Sequence, residues 1–317
     1  MNIIVSGSIA YDRIMDFPGK FSEHILPDKL HILNVCFMIN QLKENFGGTA
    51  GNIAYALSLL GEKPTIVATA GNDFNSYSNW LKSHAISSDF IKIIPCEFTA
   101  GAYITTDLAD NQITAFNPGA MKHSSSYDFN SLDPKQAIAI VAPGNLDDMS
   151  NFSKIYKERG IPYIFDPGQS LPAWSGSQLT QMITGAQIFI SNDYELGLTL
   201  EKTGLSESDI TAMAEILITT KAEKGSTVTF KQDGSLQSVD IPAVAASKIS
   251  DPTGAGDAFR AGLIKGLLLP GASIVHAAKM GAVSASFCVE VHGTQNYSFT
   301  RQSFNERFKG EFSDTAY

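Results

Sequence analysis

Basic residues are in short supply. Lysine and arginine number 23 against 32 aspartates and glutamates, leaving a formal net charge of −9. That is the opposite of the clustered positive surface that nucleic acid or an anionic membrane demands, so neither is expected as a partner. Cysteine is scarcer still. Cys36, Cys96 and Cys288 are odd in number, far apart and without a C-x-x-C pair, which excludes a disulfide framework and a zinc knuckle and points to a reducing compartment. No apolar run approaches the roughly 18 residues of a membrane span. The opening Met1-Asn2-Ile3-Ile4-Val5 is too short and too poor in basic residues for a signal peptide, so the cytoplasm is the expected location. The six histidines show no H-E-x-x-H or other metal spacing, and no internal repeat, low-complexity tract or long linker interrupts the chain.

What is there is an ordinary globular composition, 44% hydrophobic and 17% charged over 317 residues, enough for one large α/β domain with a small accessory part. Short β-branched runs alternate with helical patterns. The strands are expected at Ile3–Ser6, Thr65–Thr69, Ala137–Ala142, Tyr163–Phe165, Gln187–Ile190 and Thr227–Lys231. Several are apolar throughout, as in parallel strands covered on both faces. Five are followed by small or polar groups: Gly7-Ser8, Gly71-Asn72-Asp73, Pro143-Gly144-Asn145, Asp166-Pro167-Gly168 and Asn192-Asp193. Ligands of open α/β sheets bind outside the carboxyl ends of the strands, so these turns either form one polar rim or serve only as local turns. Two stretches break the rhythm. Residues from about 10 to 45 lack a helical period, and Ala102–Thr106 with Gln112–Phe116 read as a hairpin. Together, residues 10–45 and 96–121 are expected to form a small β lid, or else an edge extension of the main sheet.

The sharpest motif is Asp251-Pro252-Thr253-Gly254-Ala255-Gly256-Asp257-Ala258-Phe259-Arg260-Ala261-Gly262. Phe259, Leu263 and Leu267 fall on one helical stripe, so a glycine-rich loop opens directly into an amphipathic helix. Backbone N–H groups of a first turn lack intrahelical partners and sit at the positive end of the helix dipole, which suits an anion. Asp257 then stands at the mouth of an oxyanion pocket, where a carboxylate can take the proton of an attacking hydroxyl. The plainer alternative is an aspartate that only caps the helix. The string is not a P-loop, for no G-x-x-x-x-G-K-[ST] occurs. Nor is it a dinucleotide fingerprint, for Phe259 stands where a third glycine belongs, which disfavours a nicotinamide oxidoreductase.

Asp-Pro-Thr-Gly-Ala-Gly-Asp-Ala-Phe resembles the C-terminal signature of the ribokinase-like (PfkB-type) kinases, and Asp251-Pro252 resembles its nucleoside-kinase branch. The resemblance implies Asp257 as catalytic base, with the backbone of Gly254, Ala255 and Gly256 as anion hole. Phe46-Gly47-Gly48-Thr49-Ala50-Gly51-Asn52 is similar to the family's N-terminal signature. It implies that Ser8, Gly48, Thr49 and Asn52 face substrate and that Asp12 grips a ribose diol. Ser191-Asn192-Asp193-Tyr194-Glu195 matches an Asn-x-x-Glu linked to Mg²⁺ through water, although Asn192 and Glu195 also have capping-box spacing. Thr220-Lys221-Ala222-Glu223-Lys224-Gly225 resembles the Thr-x-Gly-x-x-Gly nucleotide loop, with Ala222 in place of its first glycine. His292 and Gln295 fall in the segment that lines the donor's adenine. Asn117-Pro118-Gly119-Ala120-Met121 looks like bacterial adenosine-kinase-like sequences and would bring Met121 to a nucleobase, though a lone methionine is as readily plain packing.

The implied protein is a single ribokinase-like domain spanning residues 1–317, with three α/β/α layers, a mainly parallel central sheet and the small lid. It would phosphorylate the 5′-hydroxymethyl of a nucleoside, adenosine first, with ATP and Mg²⁺ and room for a monovalent cation, as a monomer or homodimer. A sugar kinase for ribose, fructose or a related hexose is the alternative within enzymes, and a non-catalytic nucleoside-binding regulator the alternative outside them.

Overall fold

A computed structural model describes residues 1–317. Its main sheet has nine strands in the order β13-β12-β11-β10-β9-β8-β1-β4-β5. From the centre to one edge these are β1 (Asn2–Ser6), β4 (Pro64–Ala70) and β5 (Ile91–Ile93). On the other side lie β8 (Ala137–Val141), β9 (Tyr163–Phe165), β10 (Ile188–Asn192), β11 (Ile216–Thr220), β12 (Ser226–Gln232) and β13 (Ser235–Ile241). All pairings from β5 to β11 are parallel, and only β12 runs the other way, antiparallel to both β11 and β13. The segment expected at Thr227–Lys231 is thus a strand, but it reverses direction.

Burial on both faces explains the unbroken apolar strands. Ile3 and Val5 of β1 point into one core and Ile4 into a second. The first core is covered by α2 (Thr49–Leu59), α3 (Asn75–Ser83), α8 (Ala255–Leu267), α9 (Ile274–Cys288) and α10 (Arg301–Phe312). The second is covered by α4 (Leu146–Arg159), α5 (Gly176–Ile183), α6 (Asp193–Thr203) and α7 (Glu207–Met213). Three layers result.

A separate four-stranded sheet, β3-β2-β6-β7, is built from β2 (Ala10–Asp16), β3 (Gln41–Gly47), β6 (Ala100–Thr106) and β7 (Gln112–Asn117). It does not extend the main sheet. Its centre is a parallel pairing of β2 with β6, in which Asp12 lies opposite Ala102. The segment between β2 and β3 holds only one helical turn, α1 (Phe21–His24), and a 3₁₀ stretch. Arg13 ties this sheet to the body. Its guanidinium meets Glu44 at 2.8 Å and Asp73 at 3.5 Å and lies over the rings of Tyr11 and Tyr103.

Candidate active site

Because β1, β4, β8, β9, β10 and β11 are parallel neighbours or share parallel partners, their carboxyl ends lie along one edge. The turns after them therefore form the polar rim. Strand order reverses at β1, and α8 begins beside this edge with Gly254 in the left-handed conformation (φ 82°) as its N-cap. The amides of Gly254, Gly256 and Asp257 make no hydrogen bond. Ala255 departs from expectation: its N–H is committed to Pro252 C=O at 3.2 Å. The unpaired amides are thus those of Gly254, Gly256 and Asp257, at a helix end that favours negative charge.

Asp257 is only partly exposed, and burial pushes its carboxyl up to about 6 against the pull of Arg260 and a hydrogen bond from Asn52. Asn52 Nδ2 donates to Asp257 Oδ2 at 2.8 Å. The Arg260 guanidinium, one turn further along α8, is buried and ion-paired with the buried Asp166 after β9. Arg260 went unnoticed in the sequence. The signal was there, a lone cation in the buried stripe of a helix, where charge appears only when paired. Asp12, half-buried on β2, has its carboxyl raised by burial, with Asp251 adding to the effect. Gly47 faces it across the strand pair, where a Cβ would come within 2.5 Å of Asp12 Oδ2.

Other expected residues are placed differently. Asn52 is 6% exposed and is directed at Asp257 rather than at an open cleft. Its Oδ1 accepts from Thr294 and Gln295. Gln295 is 1% exposed, and its amide meets Asn52, Tyr77 and Trp80, so it does not line an adenine site. Ser8 and Thr49 hold turns together: Ser8 Oγ accepts from Thr49 N at 3.0 Å, while Thr49 Oγ1 donates to Pro143 C=O at 2.7 Å. Gly48 caps α2 so close to the turn after β1 that a Cβ would stand 2.6 Å from Ala10 N. Met121 lines a cavity of about 10 Å³ between the carboxyl ends of β1, β4 and β8. That is room for a water, not for a base.

Asn192 and Glu195 form a full capping box at the start of α6. Asn192 Oδ1 accepts from Glu195 N at 2.7 Å and Glu195 Oε2 from Asn192 N at 2.9 Å, with Glu195 Oε1 left free. No cluster of three His, Cys, Asp or Glu side chains makes a ready metal cage. The loop after β11 closes by hydrogen bonds from Lys221 N to Gly225 C=O and from Gly225 N to Ala222 C=O. Lys221 Nζ donates to Thr227 Oγ1 at 2.6 Å. Ala222 has φ 49°, in the left-handed region, as a residue standing in for glycine would. His292 is exposed, next to Gly293, whose N–H donates to Asp251 at 3.1 Å.

A nucleoside kinase of Methanocaldococcus jannaschii is 31% identical over 282 residues, covering 87% of this chain and 89% of that protein. The solved structure of Burkholderia thailandensis nucleoside kinase in complex with inosine is 37% identical and superposes with a TM-score of 0.83 over 99% of both chains. The crystal structure of the Methanocaldococcus jannaschii nucleoside kinase, described as an archaeal member of the ribokinase family, is 29% identical and gives a TM-score of 0.86 over 98% of this chain and 99% of that one. The model of the pfkB family of carbohydrate kinases matches residues 28–301, which takes in β3, β6 and β7 of the second sheet, the strand-end turns from Gly71 onward and the whole of α8. On that match, the chain belongs to the pfkB family of carbohydrate kinases.

Proposed function

We propose that the protein transfers the γ-phosphoryl group of ATP to the 5′-hydroxyl of a purine nucleoside, adenosine foremost. The carrying observation is Asp257, a carboxyl raised to about 6, standing beside three unpaired amides at the start of one helix. The names and titles of the relatives support a nucleoside acceptor: three curated relatives are named nucleoside kinases, and that of Burkholderia thailandensis was solved with inosine and with ADP-inosine.

In this reading the 5′-oxygen attacks the γ-phosphorus as its proton passes to Asp257. The new O–P bond forms while the bond to the β-bridging oxygen breaks, and ADP leaves with the electron pair. The amides of Gly254, Gly256 and Asp257 stabilise charge on the moving phosphoryl, and Asp12 accepts hydrogen bonds from the ribose diol. Lys221, Ala222 and Gly225, with His292, lie towards the donor. Mg²⁺, bound together with the donor phosphates, would neutralise their charge. Glu195 and Asn192 would reach it through water, and the free Oε1 of Glu195 with no preformed cage suits an ion that keeps most of its own waters. The second sheet acts as a lid that excludes water from the transfer, since hydrolysis of ATP otherwise competes.

Adenosine, inosine, cytidine, ribose and fructose offered with Mg-ATP test the assignment. Phosphorylation at O5′ of the purine nucleosides, with little of ribose or fructose, is expected. Turnover of a free sugar alone would replace the acceptor, and binding without ATP consumption would make the protein a regulator. In Asp257→Asn, turnover should fall about 10²–10⁴-fold with nucleoside binding retained, as read by single-turnover kinetics and calorimetry.

A further inference from the structure

A buried chain of hydrogen bonds ends on Asp257, and its direction is set by its far end. Trp80, on α3, has an indole N–H that can only donate. It meets Gln295 Oε1 at 3.0 Å, so the other end of that amide is NH₂. The Tyr77 hydroxyl donates to Gly47 C=O at 2.8 Å, an acceptor with nothing to give, so the phenol oxygen must accept from Gln295 Nε2 at 2.5 Å. The same NH₂ donates to Asn52 Oδ1 at 3.0 Å, while the single hydroxyl proton of Thr294 has that oxygen at 2.8 Å and Phe46 C=O at 3.1 Å within its reach. With the Gln295 donor on its oxygen, the group that Asn52 turns to Asp257 Oδ2 at 2.8 Å is NH₂. Tyr77, Gln295, Thr294 and Asn52 are all 6% exposed or less, so water does not substitute for a misdirected partner.

We propose that Trp80 and Gln295 are positioning residues for phosphoryl transfer: through Asn52 they hold an N–H donor on Oδ2 of Asp257 and leave Oδ1 for the proton of the substrate. The inference rests on the kinase reading of Asp257. An amide is nearly symmetric in shape and can turn over in its pocket. A donor-only ring at one end and a carbonyl at the other remove that freedom. Turned over, Asn52 would present an oxygen to an oxygen, disfavouring the carboxylate form that serves as base. The other groups facing Asp257 are Arg260 on its own helix, Asp166 after β9 and Asp12 on β2. The hydroxyls of Tyr77 and Tyr297 and the thiol of Cys288 are kept protonated by burial. None of these supplies a donor to Oδ2 in place of Asn52.

Two variants test the chain. Gln295→Glu still accepts from Trp80 but has no proton for Asn52 Oδ1. Trp80→Phe keeps an aromatic ring against Phe46, 5.3 Å away between centroids, and loses only the N–H, adding no charge. The expected result is a kcat lowered roughly 10–100-fold in Gln295→Glu and roughly 3–10-fold in Trp80→Phe, with nucleoside KM within about threefold of wild type. In both, the acid limb of the kcat profile should move upward, by about one pH unit in Gln295→Glu. A shift in Trp80→Phe, which carries no new charge, separates amide direction from the field of an added carboxylate. If Gln295→Glu does not fold, Trp80→Phe decides alone. Lower melting temperatures with unchanged kcat per folded molecule and an unmoved acid limb would mean that the network only holds helices together, and would overturn the proposal. A wild-type protein that consumes no ATP with any of the five acceptors sinks the kinase reading itself, and the inference with it.

Discussion

A carboxylate of ordinary acidity is a weak base at neutral pH, and burial of Asp257 changes that. With its carboxyl at about 6, the residue is mostly ionised at pH 7 yet holds a proton well enough to take one from an alcohol. Turnover should therefore rise with pH through about 6 and fall towards tenfold per unit below it, read from kcat between pH 5 and 8. The same shift has a consequence for stability with a definite sign. A carboxyl raised in the folded state favours folding at pH values below its unfolded pKa of about 4, and that contribution is lost as pH rises through about 6. Asp257→Asn should accordingly gain melting temperature relative to wild type at pH 8 and not at pH 4; a gain of equal size at both would contradict the shift. The Asp257 carboxyl beside free amides was legible in the sequence because Gly254 to Asp257 is a local string whose parts act on one another within a single turn. Trp80, the partner of Arg260 and the true partners of Gln295 were not. They work through residues far away in the chain, and no spacing along it records an ion pair with Asp166 or a hydrogen bond across three helices.

Elements were readable to the degree that both of their faces are buried. The apolar strands β1, β4, β8, β9 and β10 stood out, and the turns after them lined up once parallel pairing placed them on one edge. Edge strands did not announce themselves. β13 and β3 expose most of their residues and carry little apolar alternation, while β11, a short apolar run, has no length or period to tell it from buried helix. The helix α8 is seated by small residues: a Cβ on Gly266 would come 2.7 Å from the Cβ of Ala277 on α9. Gly266→Val should force the two helices apart, cost about 1–3 kcal/mol and lower kcat, because α8 carries Asp257 and the free amides of the proposed transfer site; urea unfolding and single-turnover rates measure the two effects. The loop after β11 allows the opposite experiment. Ala222 is exposed and left-handed at φ 49°, so Ala222→Gly should remove up to about 1 kcal/mol of strain, partly offset by the freer unfolded chain, as read by urea unfolding.

At the scale of the molecule, the second sheet is anchored to the body where Tyr11 and Phe46 pack on Tyr77 and where Arg13 meets Asp73. Hydrogen exchange in β2 and β6 should slow when a nucleoside and a non-hydrolysable Mg-ATP analogue are bound together, with β8 and β9 unchanged; equal protection by either ligand alone would speak against closure. The second sheet was foreseen from its break in rhythm and its hairpin, but the parallel union of β2 with β6 joins segments that nothing local brings together.

The contacts at the base have one more implication. Asn52 reaches Asp257 across 205 positions, and Trp80 reaches Gln295 across 215. During synthesis, the N-terminal third therefore waits, without its partners, until nearly all of the polypeptide has left the ribosome. A product terminated before Gly254 lacks Asp257 and its free amides, so on the proposed mechanism incomplete molecules would not squander the cell's ATP.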